Sequence, residues 1–119
     1  MTEPVRSARI RLADARAQIP TPESGHSVTV LRHGTLNFKL SQPVPPNQQA
    51  PHDRDELYVI VRGRGILFHD GKRDPFEAGD AMFIAAGVEH RFEDFTEDLT
   101  VWVVFYGPDG GEVPVNSTT

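Results

Sequence analysis

The 119-residue sequence contains no cysteine, which excludes a disulfide scaffold, a cysteine-based zinc finger, an iron–sulfur cluster and a thiol nucleophile. It is also short of basic charge: twelve Lys+Arg stand against seventeen Asp+Glu, a formal net charge of −5 at pH 7. Non-specific nucleic-acid binding requires a basic, phosphate-neutralising face, so the chain does not fit that class. No run approaches the roughly 18 consecutive apolar residues of a membrane span, and no apolar secretory segment follows Met1. The expectation is a soluble, cytoplasmic protein with no nucleic-acid or membrane partner. Basic charge is concentrated at the start, where residues 1–18 hold Arg6, Arg9, Arg11 and Arg16 against Glu3 and Asp14. A short surface helix accounts for this better than a targeting peptide.

Turn-forming residues are abundant. Ten Gly and ten Pro are too many for long helices and suit short strands joined by turns. The length fits one domain, and such a chain buries about two-thirds of the surface its unfolded form exposes. Ala8 to Ile19 carries a weak helical pattern stopped by Pro20 and Pro22. From Val28 the texture becomes strand-like. Val28 and Val30, then Leu36, Phe38 and Leu40, alternate with polar residues around a His33-Gly34 turn. Ser41 to Pro51 holds four prolines and reads as a loop. Strands are expected over Glu56–Arg62, Gly65–His69, Ala81–Ala85, from His90, and over Leu99–Tyr106, with Asp70-Gly71 as a hairpin turn. Seven or more short, evenly spaced strands indicate an all-β sandwich or small barrel. The organisation read from this is an arm with a short helix over 1–24, a barrel over 25–107, and a polar tail over 108–119 expected to fray.

Three polar residues fall where such a core favours apolar ones. His52 and Glu56 are four apart at the entry to a strand, and even spacing puts both on one face of a regular strand. His90 heads a later strand. Two imidazoles and a carboxylate form a set that can bind a divalent metal and leave positions open. Taken singly, a histidine is more often a surface or hydrogen-bonded residue than a ligand, and Glu56 is equally well a solvated strand-edge carboxylate. Tyr58 and Ile60 share the parity of His52 and Glu56, Phe92 shares that of His90, and these three are candidate pocket walls. Arg54 would point inward in a regular strand and hold an anion; if the strand bulges there, it pairs with Asp53 or Asp55 in solvent. Trp102 and Tyr106 alternate with Val101, Val103 and Phe105, so one set faces the interior and the other is expected against a partner subunit. His26, His33 and His69 lie near turns and read as solvent-facing or structural, and Glu93, Asp94, Glu97 and Asp98 as a solvated turn.

The frame around these residues is specific. His52, three residues, Glu56, six residues and Gly63 make one motif; Gly79, five residues, Ala85, Ala86, Gly87, two residues, His90, three residues and Asp94 make a second. Together they resemble the two linked motifs of the cupin superfamily, in the short spacing of its small single-domain cupin-2-type members. The resemblance covers about residues 25–107. It implies a double-stranded β-helix, or jelly-roll barrel, with one divalent transition metal (iron, manganese, nickel or zinc) held by His52, Glu56 and His90. Three departures stand out: Ala50 where the family's first histidine is expected, Ala85 for a turn proline, and Asp94 for an asparagine. Ala50 removes one of four ligands, and Gln48 or Gln49 is the nearest replacement donor. The resemblance implies a small-molecule substrate or ligand, dioxygenase, isomerase or lyase-type chemistry, and a homodimer. The alternative is a non-catalytic ligand-binding or metal-free module.

Overall fold

The computed structural model describes residues 5–21, 25–47 and 50–115. One short helix, α1 (Leu12–Ala17), precedes eight strands. These are β1 (Ser27–His33), β2 (Leu36–Ser41), β3 (Asp55–Arg62), β4 (Arg64–His69), β5 (Lys72–Glu77), β6 (Ala81–Ile84), β7 (His90–Glu93) and β8 (Thr100–Tyr106). They form a five-stranded sheet in the order β1-β2-β8-β3-β6 and a three-stranded sheet in the order β5-β4-β7. Neighbouring strands run antiparallel. The architecture is a jelly-roll barrel with an N-terminal arm.

Register sets which side chains meet. Lys39, Val103, Tyr58 and Met82 form one row across β2, β8, β3 and β6, and Asn37, Phe105, Glu56 and Ile84 form the next. Both rows face the barrel interior, where Tyr58, Ile60, Leu67, Phe76, Ile84, Phe92, Leu99, Val101 and Val103 make the main core. Leu40, Trp102 and Val59 form a row on the opposite face. There a second, smaller core joins Ala15, Val28 and Leu40 to Leu12, Ile19, Val30 and Trp102. The chain's own arm therefore packs on this part of the sheet. Trp102, one of the residues expected against a partner subunit, is packed by the arm of the same molecule, and Tyr106 is half-buried.

Three further expectations are revised. The helix is six residues long, not twelve, and its N-cap Arg11 makes no side-chain capping bond. So short a helix has little stability of its own, and the burial of Ala15 holds it in place. Strand β5 was not anticipated from its sequence, KRDPFE, in which only Phe76 is buried. It is an edge strand, where charge and proline are tolerated and protect against further pairing. The C-terminal tail does not fray at once: the Gly110 N–H donates to the Asp53 carbonyl, and the Glu112 N–H to Asp55 Oδ2.

The expected Asp70-Gly71 turn is present, both residues having positive φ (50° and 76°), the geometry of a two-residue type I′ hairpin. Gly63 is needed for a different reason. Its φ is 93°, and a Cβ there would stand 2.8 Å from both Leu99 Cα and Thr96 Oγ1.

Candidate metal centre

His52, Glu56 and His90 converge although 38 residues separate the first from the last. Glu56 sits second in β3, its carboxylate pointing inward and 2% exposed. His90 opens β7 and is 1% exposed. His52 precedes β3, and its carbonyl accepts the N–H of Gly87 at 2.7 Å. This bond links the two sequence motifs directly and fixes the approach of one histidine-bearing segment to the other. Gly87 adopts φ 81°, a left-handed conformation that glycine enters without penalty.

Glu56 Oε1 lies 3.1 Å from His90 Nε2 and 3.6 Å from His52 Nε2. The three residues offer donor atoms within 4.8 Å of one another. His90 Nδ1 contacts the Val88 carbonyl at 2.9 Å, so Nδ1 carries the proton and Nε2 presents a lone pair. That lone pair faces a carboxylate oxygen. All three donor atoms are buried without a hydrogen-bond partner among the described residues. Such a cluster is costly unless a cation, or a proton on His90 Nε2 beside Glu56, lies among the donors, and a metal-ligating histidine ordinarily donates its other N–H in this way. The donor set therefore fits a divalent transition metal, with ligand bonds of about 2.0–2.2 Å.

The electrostatics agree. Burial lowers the His52 imidazole below its ordinary value, with His90 and Lys39 adding to the depression and Glu56 opposing it. For His90, burial is the largest single influence and lowers it, yet Glu56 and the Val88 carbonyl together hold it above the ordinary value. A positive charge is favoured at the point where the His90 lone pair meets Glu56.

Beside the triad lies a cavity of about 320 Å³, toward the small end of ligand pockets. Tyr58 and Phe92 line it, with Val103 and Phe105 as further apolar wall. Ile60 does not; it is one row deeper, 1% exposed in the main core. Arg54 is also displaced from the expected position. Regular β3 begins only at Asp55, so alternation does not carry back to residue 54, and the guanidinium donates to the Thr35 carbonyl at the β1–β2 turn. It borders a smaller cavity with Asn37, His52 and Asp109. Ala50 is exposed and offers no donor. Gln48 and Gln49 lie outside the described residues.

Four polar residues lining the larger cavity were not singled out by sequence, Ser27, Lys39, Ser41 and Asn47, and His26, read there as solvent-facing or structural, lines it too. Asn47 Oδ1 accepts the N–H of Phe92, which ties the proline-rich loop across the cavity to β7. Alternation in β2 separates Leu36, Phe38 and Leu40 from Asn37, Lys39 and Ser41, but alternation alone assigns the polar set to solvent.

The family model of the cupin domain matches residues 41–106. An uncharacterized protein of Streptomyces coelicolor is 36% identical over 63 residues, covering 53% of this chain and 60% of that protein. The chain thus spans less than two thirds of that relative's length. An oxalate-binding protein of Thermotoga maritima is 28% identical over 98 residues, covering 76% of this chain and 81% of its own. Among solved structures, a cupin-2 domain protein from Shewanella frigidimarina superposes with a TM-score of 0.66 at 20% identity, over 82% of this chain and 94% of that one. The last likeness is one of fold alone.

Proposed function

The chain belongs to the cupin domain family, and from that premise we propose that it holds one divalent transition metal on His52, Glu56 and His90 and uses it to bind or transform a small molecule in the adjoining cavity. The observation that carries this reading is the convergence of three buried donor atoms, none with a hydrogen-bond partner among the described residues. When bound, such an ion acts as a Lewis acid and lowers the pKa of a coordinated water. The protein supplies the rest: Val88 fixes the His90 tautomer, Tyr58, Phe92 and Phe105 exclude water from one side, and Asn47 holds the loop over the cavity.

One observation favours a non-catalytic variant of the same reading. Apart from Glu56 the cavity lining contains no carboxylate among the described residues, so none of these offers a separate carboxyl as a general acid or base. A fold alone does not choose between a catalyst and a binding module.

The reading includes a homodimer. Leu57, Val59 and Phe83 are 36%, 41% and 52% exposed on the outer face of β3 and β6, and Leu57 stands directly opposite Phe83. That patch continues the apolar face beyond the part covered by the arm, and a second copy fits it.

Metal content by plasma mass spectrometry, on protein purified without tag or chelator, tests the centre. Near one equivalent in the wild type, lost in His52→Ala/His90→Ala, is the expected result. Wild-type protein that carries no metal and takes up none when supplied overturns the metal reading.

A further inference from the structure

We propose that the cavity is built for a small organic anion, and that Lys39 is the residue that holds its carboxylate. The inference deepens the reading above and rests on the metal for one of two positive charges and on Lys39 alone for the other.

The β1–β2 hairpin turns its apolar side chains outward and its polar ones inward. Its apolar residues Val28 and Leu40 are packed outward under the arm. Its polar residues Lys39 and Ser41 share rows with the inward-facing Val103 and Val101 and, with Ser27, line the cavity. One wall of the cavity is therefore polar, and the facing surface of β8, β3 and β7 is aromatic and aliphatic apart from the metal donors. A pocket of this kind orients a ligand that has one charged end.

Lys39 makes no ion pair or hydrogen bond among the described residues. Among the described residues Glu56 is the only carboxylate in the lining, and it is spoken for by the two imidazoles. A divalent ion on two neutral imidazoles and one carboxylate leaves a net positive charge of one, and the Lys39 ammonium adds a second. Positive charge of that size, in a cavity with mostly apolar walls, is compensated by an anionic ligand far better than by a neutral one. Ammonium–carboxylate contacts in such surroundings are among the stronger polar contacts available. Ser41 adds a hydroxyl on the same wall. The chemistry specified is thus a short mono- or dicarboxylate, with one end at Lys39 and the other toward the metal donors.

Isothermal titration calorimetry on manganese-loaded protein tests this, with malonate and succinate as probes and malonamide as the uncharged control. At least one dicarboxylate should bind while malonamide does not. Lys39→Met, which keeps the length of the side chain, should weaken binding by about ten-fold or more. Its metal content and unfolding midpoint should be unchanged, and Lys39→Arg should recover most of the affinity. The inference is overturned if neither dicarboxylate binds, if malonamide binds equally, or if Lys39→Met binds as the wild type does. Failure of the metal reading is recognised separately, as wild-type protein that does not load with manganese. The same titrations on metal-free protein then decide: a succinate affinity that depends on Lys39 sustains the anion site, and one that does not overturns it.

Discussion

β2 and β3 belong to the same sheet, separated only by β8, and they use their two faces in opposite senses. β3 buries Glu56, Tyr58 and Ile60 inward and leaves Leu57 and Val59 exposed outward. β2 buries Leu40 outward beneath the arm and turns Lys39 and Ser41 toward the interior cavity. Both strands alternate, so alternation identifies two faces without saying which is covered. The covering element decides. For β3 it is the second sheet of the barrel, and for β2 it is a six-residue helix that shows only a weak apolar pattern.

The largest effects should come from the ends of that contrast. Leu40→Ala is expected to lower stability by about 2–5 kcal/mol in urea unfolding, comparable to Ile60→Ala in the main core. A loss within about 0.5 kcal/mol, typical of a surface site, would show that the arm does not seal the hairpin. At the centre, His90→Ala removes one of three donors. It should weaken metal binding by about 100-fold or more in a chelator competition, since loss of an outer-shell partner alone costs about 10–100-fold.

Acidity should act on the same site with a definite sign. Imidazoles must be neutral to ligate, so protons compete with metal. His90 is held above its ordinary value of 6.5 and His52 below it, so His90 protonates first as pH falls. Metal affinity should therefore begin to decline above pH 6.5 and steepen below it, and titrations at successive pH values follow this directly. An affinity flat through that range would remove His90 from the ligand set. The smallest effect is expected at Leu57→Ala, within about 0.5 kcal/mol for the isolated chain. A larger, concentration-dependent loss would show that a second copy covers β3 as the arm covers β2.

Much of this was legible in the sequence where local rules govern. The even spacing of Glu56, Tyr58 and Ile60 marked one face of β3, and the Gly63 and Gly87 frames marked turns; His52 lies before β3, where alternation does not reach, and is placed by its bond to Gly87. The rest depended on contacts between distant segments. Lys39 joins the cavity because the arm lies on the other side of β2, and nothing in Leu36–Ser41 records that. Arg54 misses the cavity because it lies just outside β3, which begins at Asp55, and its guanidinium is held by the Thr35 carbonyl. β5 escaped notice because an edge strand needs only one buried side chain, Phe76, to be held.

The position of β8 bears on how the molecule comes into being. It is the last of the described strands, yet it lies in the middle of the five-stranded sheet, between β2 and β3. On the ribosome all three metal donors emerge before it does. Until Thr100–Tyr106 arrives, the β1–β2 hairpin has no bridge to β3, and the wall formed by Val103 and Phe105 is missing. The cavity therefore gains this wall only when β8 pairs with both β2 and β3, a non-local pairing of the slow kind. A chain interrupted before residue 100 would carry every donor and still lack the shape that makes them a site.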